Sequence, residues 1–238
     1  MKPIIVIPTY NEKDNINKLI PKIFSLAIPS LEIIVVDDNS PDNTATAVRK
    51  LGRNFPISLI VRPKKLGLGS AYIEGFAKAL ENGADCIIQM DADFSHDPSD
   101  VPRLLADGKR TNLVIGSRKI TGGNIVGWGI IRKFMSNGAM GFARSMLGLK
   151  THDVTAGFRC YQRIVLETIR LYDITSNGYA FQEEMLYRTQ RLGFSILEIP
   201  VTFTDRQRGK SKLTKKDIVE FFLVIWKLRK LKIVTTNK

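Results

Sequence analysis

The 238-residue chain is 44% hydrophobic and 25% charged, which excludes a disordered polymer and leaves room for one large α/β domain with a sizeable core. No apolar run approaches the roughly 18 to 20 residues that cross a bilayer, and the amino terminus opens into a strand-like run instead of a signal peptide, so the expected location is cytoplasmic. The net charge is +13, yet residues 1–119 carry 16 basic and 14 acidic side chains against 20 and 9 in the remainder, so the basic surplus belongs to the second half. Such a surplus suits an anionic membrane surface, a phosphate-bearing substrate or nucleic acid, and charge does not choose among them.

Pro3 to Pro8 reads as a first buried strand, followed by a polar loop and a helix from about Lys13 to Leu26 with Ile16, Leu19, Ile20 and Ile23 at helical spacing. A second strand, Glu32 to Val36, runs into Asp37-Asp38-Asn39-Ser40-Pro41-Asp42. A helix from about Asn43 to Leu51, a strand at Ile57 to Val61, a loop through Gly67 and Gly69, and a helix from Ser70 to Glu81 lead to the apolar run Ala84 to Met90. That run ends in Asp91-Ala92-Asp93, and a helix near Pro98 to Ala106 and a strand at Leu113 to Ile115 repeat the pattern. The alternation predicts a doubly wound parallel sheet.

Thr121 to Gly129 holds four glycines, a composition for a mobile or closely approached loop. Helical periodicity resumes at about Ile130 to Leu147, Ile164 to Leu171 and Phe181 to Arg191, and Phe194 to Phe203 alternates like a strand. A final helix from about Lys216 to Lys232 places Phe221, Phe222, Ile225 and Leu228 near one face and basic residues at its end. The expected organisation is a catalytic domain over 1–215 and an amphipathic basic helix and tail over 216–238. That helix either rests on anionic lipid or packs on the domain with a solvated basic end. Cys86 and Cys160 lack metal or CxxC spacing and are read as reduced.

Asp91 and Asp93 emerge at a strand's carboxyl end, where open α/β sheets place ligands, and two hard oxygen donors there suit Mg2+ or Mn2+ beside a substrate diphosphate. The plainer reading is a polar loop that caps the next helix. Asp37 and Asp38 likewise fit a nucleotide contact, an Asx turn or an N-cap. His96 and His152, without a ligand-like spacing, are expected in supporting or surface roles, Gly67 and Gly69 in a turn, and Trp128 and Phe134 either in the core or against lipid.

The segments Ile7-Pro8-Thr9-Tyr10-Asn11-Glu12, Val36-Asp37-Asp38-Asn39-Ser40-Pro41-Asp42, Met90-Asp91-Ala92-Asp93-Phe94-Ser95-His96 and Gly116-Ser117-Arg118 resemble those of family 2 glycosyltransferases. Gly127-Trp128, Arg132-Lys133, Asp153 to Arg159, Asp205-Arg206 and Ser211-Lys212-Leu213 narrow the likeness to the dolichol-phosphate (polyprenyl-phosphate) mannosyltransferases among them. The resemblance implies a GT-A fold, Rossmann-like with a mostly parallel central sheet, and inverting, metal-dependent transfer of mannose from GDP-mannose to a polyprenyl phosphate. It implies Pro8, Tyr10, Glu12 and Asp38 at the nucleotide, Asp91 and Asp93 at a Mg2+ or Mn2+ and the diphosphate, and Ser95 where some relatives have Gln. It further implies Arg118, Arg132 and Ser136 at the acceptor phosphate and Arg206 and Lys212 over the donor diphosphate. Some relatives carry transmembrane segments after the catalytic domain, so a peripheral enzyme on the cytoplasmic face, with or without a separate membrane-anchoring subunit, is expected.

The acceptor phosphate has a second pKa of about 6, so its oxygen is an anionic nucleophile at neutral pH and no protein base is required. Asp153 either orients sugar hydroxyls or is a structural carboxylate. Three alternatives stay open: transfer of glucose or another hexose, a basic nucleic-acid-binding module, and an inactive scaffold. Basic residues interleaved with exposed aromatics are not found, which argues against a nucleic-acid partner.

Overall fold

Strand β1 (Pro3–Thr9) sends Ile4 and Val6 to one face and Ile5 and Ile7 to the other, and all four are fully buried. A strand apolar on both faces belongs in the middle of a sheet covered by helices on both sides. In the computed structural model, which describes residues 1–176, 178, 180–205 and 215–231, with 215–220 as backbone alone, that is where it lies.

The chain continues through α1 (Lys13–Phe24), β2 (Glu32–Asp37), α2 (Thr44–Leu51), β3 (Ile57–Val61), α3 (Leu68–Glu81), β4 (Cys86–Gln89), α4 (Val101–Gly108) and β5 (Leu113–Ser117). It then runs through β6 (Asn124–Val126), α5 (Ile130–Leu147), β7 (Arg159–Gln162), α6 (Arg163–Ile169), α7 (Phe181–Arg191), β8 (Ile196–Pro200), β9 (Thr202–Thr204) and α8 (Lys215–Lys230). Ile16, Leu19, Val48 and Leu104 cover one face of the sheet; Tyr72, Phe76, Phe181, Ile225 and Leu228 cover the other. Thus α8 shares the main core through Ile225 and Leu228, while Phe222, Leu223 and Trp226 stay exposed. Among the described residues no helix is long and apolar enough to cross a membrane.

The seven-stranded sheet has the order β3-β2-β1-β4-β7-β5-β8, so the chain reverses direction across the sheet between β1 and β4. A crevice opens at such a point beyond the carboxyl ends of the strands. Two features add to the expected, mostly parallel sheet. Strand β7, which no periodicity announced, runs antiparallel to both β4 and β5, pairing Ile88 with Cys160 and Ile115 with Arg159. Its amino end therefore lies on the carboxyl edge of its neighbours. The expected strand from Phe194 to Phe203 divides at Val201, whose N–H donates to Ser117 O while its carbonyl accepts from Asn124 N–H. Strand β8 thereby stays with β5, and β9 joins β6 in a small parallel ribbon built from the glycine-bearing segment read as a loop.

Candidate active site

Asp91 and Asp93 leave the end of β4 beside the β1–β4 crevice. Tyr72 Oη on α3 donates to Asp91 Oδ1 at 2.7 Å, and burial together with the Asp91 charge holds that phenol well above its usual pKa, so it remains a donor. The Asp91 backbone N–H donates to His96 Nδ1 at 3.2 Å. Burial lowers the imidazole pKa, and His96 stacks on Phe158 at 4.9 Å between ring centroids, a neutral buttress under the carboxylate loop. Asp93 Oδ1 accepts the Ser95 N–H at 3.0 Å, closing a turn in which Phe94 takes a left-handed φ of 60°. One Asp93 oxygen thus shapes its own turn, while the cap of the helical turn that follows falls to Asp97, whose Oδ1 accepts the Ser99 N–H at 3.0 Å.

Across the crevice the reversed β7 delivers the Asp153 loop to the end of β5. Asp153 is fully buried and takes Arg118 Nε at 2.7 Å and Nη2 at 2.6 Å, along with the Arg118 backbone N–H at 2.9 Å. Burial opposes its ionisation, but the Arg118 hydrogen bonds and charge outweigh it and hold the carboxyl below its usual pKa. Of its two possible roles Asp153 thus fills the structural one, as the partner of Arg118. Thr155 Oγ1 accepts a further Arg118 Nη2 bond at 2.7 Å, and Trp128 and Phe203 flank the guanidinium at 5.7 and 5.2 Å. The Nη1 group of Arg118 has no partner among the described residues. Arg132, one turn into α5, lies 4.2 Å over the Trp128 ring and pairs with Asp205 at 2.6 Å. The β6–β9 ribbon makes that pair, because Asp205 N–H continues its ladder to Val126 O.

Asp91, Asp93, Arg118, Arg132 and Ser136 all line one cavity of about 970 Å³. The residues expected at the nucleotide lie elsewhere on the same edge, at the ends of β1 and β2, outside that lining. Pro8 lies near the end of β1 and Tyr10 follows it, with Lys65 Nζ 4.6 Å over the Tyr10 ring, and Glu12 Oε2 accepts from Asn15 at 2.6 Å. Asp37 is buried and accepts from Ser40 N–H at 2.9 Å and Thr9 Oγ1 at 2.8 Å, a structural turn. Asp38 pairs with the buried Arg62, which also donates to Ser70 Oγ and Gly67 O. Gly69 answers to packing: a Cβ there would lie 2.8 Å from Ser176 O. His152 is exposed and bonds Glu198, while Arg206 and Lys212 lie outside the described residues.

Sequence reading missed Tyr72, Arg62, Thr155 and the pair Gln182-Glu183. The last left a signal: three polar residues, Gln182 to Glu184, interrupt the apolar pattern between Phe181 and Met185, and all are buried. Burial pushes the Glu183 carboxyl up to about 8. Hard oxygen donors gather at Asp91, Asp93 and the buried Ser95 Oγ, which has no partner among the described residues, all on the cavity wall. Among the described residues no group of three or more His, Cys, Asp or Glu side chains forms a cage. This donor set fits a hard divalent cation that completes its shell with water and ligand phosphates.

Residues 4–170 match glycosyl transferase family 2. The chain belongs to this family. The glycosyltransferase is 42% identical over 215 residues to the undecaprenyl-phosphate mannosyltransferase of Micrococcus luteus, covering 90% of this chain and 88% of that one. It is 40% identical over 233 residues to the polyprenol monophosphomannose synthase of Mycolicibacterium smegmatis, covering 96% and 88%. Among solved structures, glucosyl-3-phosphoglycerate synthase from Mycobacterium tuberculosis in complex with Mn2+, uridine diphosphate and phosphoglyceric acid superposes with a TM-score of 0.72. That match has 20% identity and covers 98% of this chain and 80% of the other. The same synthase with Mg2+ and uridine diphosphate gives 0.70 at 20% identity, covering 94% and 79%, so the glycosyltransferase has the fold of these enzymes, GT-A.

Proposed function

We propose that the protein transfers mannose from GDP-mannose to the phosphate of a polyprenyl phosphate, with Mg2+ or Mn2+ held by Asp91 and Asp93. The observation that carries the proposal is the convergence of two chemically opposite walls on one cavity: carboxylates at the β4 end, and Arg118, Arg132 and Ser136 facing them. The names of the two curated relatives supply the sugar and the acceptor class. Bound there, the cation neutralises the diphosphate and so lowers the cost of its departure.

The chain's own residues do the rest. Arg118 is fixed by Asp153 and Thr155 with Nη1 to spare, and Arg132 sits at the cavity mouth, a pair of guanidinium groups suited to hold a phosphate dianion. The Ser136 hydroxyl adds a donor on the same helix, and Trp128 Nε1 is a buried donor with no partner among the described residues. The held phosphate oxygen attacks the anomeric carbon as the carbon–oxygen bond to the diphosphate breaks, GDP leaves, and the configuration inverts. No proton has to move, and positioning supplies much of the rate.

Access from a membrane has a surface to match. Ile130, Ile131 and Phe134 on α5 are 87%, 78% and 78% exposed, and they lie beside Arg132 and Lys133. Large apolar side chains next to basic ones suit an anionic lipid interface, and the exposed Phe222, Leu223 and Trp226 of α8 extend the apolar surface. The enzyme is thus read as peripheral to the membrane that carries its acceptor. The test is transfer of radiolabelled sugar to a short polyprenyl phosphate with Mn2+, comparing GDP-mannose with UDP-glucose. Transfer from GDP-mannose is expected; transfer from UDP-glucose alone would replace the donor, and transfer from neither would refute the activity.

A further inference from the structure

Residues Phe181 to Thr189 of α7 are all buried, an unusual place for a run of polar side chains. Most are satisfied locally. Glu184 accepts from the backbone N–H groups of Thr175 and Ser176 and from Arg188 Nε at 2.9 Å, and Thr189 Oγ1 donates to Met185 O at 2.7 Å. Two polar atoms are left over: Gln182 Oε1 and Glu183 Oε2 have no partner among the described residues, although the residues are only 6% and 1% exposed. Buried polar atoms normally find partners, and adjacent orphans on a cavity wall mark groups prepared for a ligand. Both residues line the 970 Å³ cavity.

We infer that Gln182 and Glu183 hydrogen-bond the hydroxyl groups of the hexose carried by the donor, and so determine which sugar the enzyme transfers. The inference rests on the reading of the cavity as the donor-sugar and acceptor-phosphate site. Position supports it. A Cβ added to Gly157 would lie 3.6 Å from Gln182 Nε2 and 3.7 Å from Asp91 Oδ2, so the amide stands one small group away from the carboxylate assigned to the diphosphate end. The sugar joined to that diphosphate would occupy the cavity beside Gly157, where no side chain separates Gln182 from Asp91.

Chemistry supports it too. Phosphate has its cationic partners in Arg118 and Arg132, and a carboxyl group is a poor neighbour for a dianion. Hexose hydroxyls both donate and accept, and they match an amide beside a protonated acid. Burial keeps Glu183 in that protonated form at neutral pH, able to donate. Arg159 fixes the frame: its Nη1 donates to the Gln182 carbonyl at 2.9 Å and its Nη2 to Val154 O at 3.0 Å, tying α7 to the Asp153 loop.

The test measures kcat/KM for GDP-mannose and its monodeoxy analogues with a short polyprenyl phosphate and Mn2+, in wild type, Glu183→Leu and Gln182→Met. UDP-glucose and its deoxy series run in parallel. In wild type at least one deoxy donor is expected to fall about tenfold or more below its parent, and in Glu183→Leu that ratio shrinks to less than about threefold. Affinity for GDP with Mn2+ stays unchanged, a separation that general loss of structure would not produce. If Glu183→Leu does not fold, Gln182→Met carries the same comparison. Unchanged ratios in the folded variants would overturn the inference while leaving the transferase reading intact. Absence of wild-type transfer from either donor would overturn both.

Discussion

At the β1–β2 end of the working edge, several polar side chains are held by close neighbours in sequence, alongside links between adjacent strand ends from Thr9 to Asp37 and from Arg62 to Asp38. Glu12 is bonded by Asn15 three residues on, Asp37 by Ser40 three residues on, and Asp42 by Thr44 two residues on. At the β5–β7 end the partners are distant: Arg118 and Asp153 are 35 residues apart, and Arg132 and Asp205 are 73 apart. The first region combines short-range turns with ties between neighbouring strand ends 24 to 28 residues apart. The second exists only after an antiparallel strand and a two-stranded ribbon have been assembled. Charge follows the same division, near balance in the first half and strongly basic in the second, where it attracts anions.

The largest effect tests the two-walled cavity. Asp93→Asn keeps an oxygen for the Ser95 N–H but removes the anionic charge, and it is expected to lower transfer about a thousandfold. Circular dichroism should be unchanged and Mn2+-dependent GDP binding lost in titration calorimetry; near-native turnover would remove Asp93 from the site. Next, Asp153→Asn should cost about 3–5 kcal/mol in urea unfolding, because it strands a guanidinium only 8% exposed. Asp205→Asn, which releases the more exposed Arg132, should cost less than about 1 kcal/mol. Equal losses would break the contrast between the buried and the exposed ion pair at the assembled end of the site.

The buried acids sharpen the contrast through pH. Asp153 has a lowered pKa, so its stabilisation is present above the unfolded carboxyl value of 3.8 and is lost as pH falls through its folded pKa. Glu183 has the opposite sign. Its folded pKa of about 8 exceeds the unfolded value of 4.5, so its contribution is full below 4.5 and is lost as pH rises to 8. Burial is the main cause, with Asp153 adding to the rise and Arg159 and Arg118 opposing it. Wild-type stability should therefore fall relative to Glu183→Gln by about 1.4 kcal/mol per pH unit across that window, measured by urea unfolding at several pH values. The smallest effect concerns the outer face. Phe134→Glu should weaken binding to anionic vesicles about severalfold and leave turnover of a short, soluble acceptor unchanged.

Sequence alone determined what short-range chemistry can specify. The apolar runs of β1, β2 and β4, the helices between them, and the emergence of Asp91 and Asp93 at a strand end follow from period and turn composition. The family resemblance implied Arg118, Arg132 and Ser136, and the structure gathers those three with Asp91 and Asp93 on one cavity. Periodicity did not announce β7, only four residues long, or the three-residue β6 within its glycine-bearing segment. Their pairing is set by neighbours far away in the chain, because a ladder hydrogen bond is satisfied by whichever strand lies alongside. For the same reason only the tertiary structure decided that Asp153 serves Arg118, that Tyr72 serves Asp91, and that Gln182 and Glu183 line the cavity, each with one side-chain oxygen lacking a partner among the described residues. Burial and partnership belong to the folded surroundings of a side chain, and no local spacing encodes them.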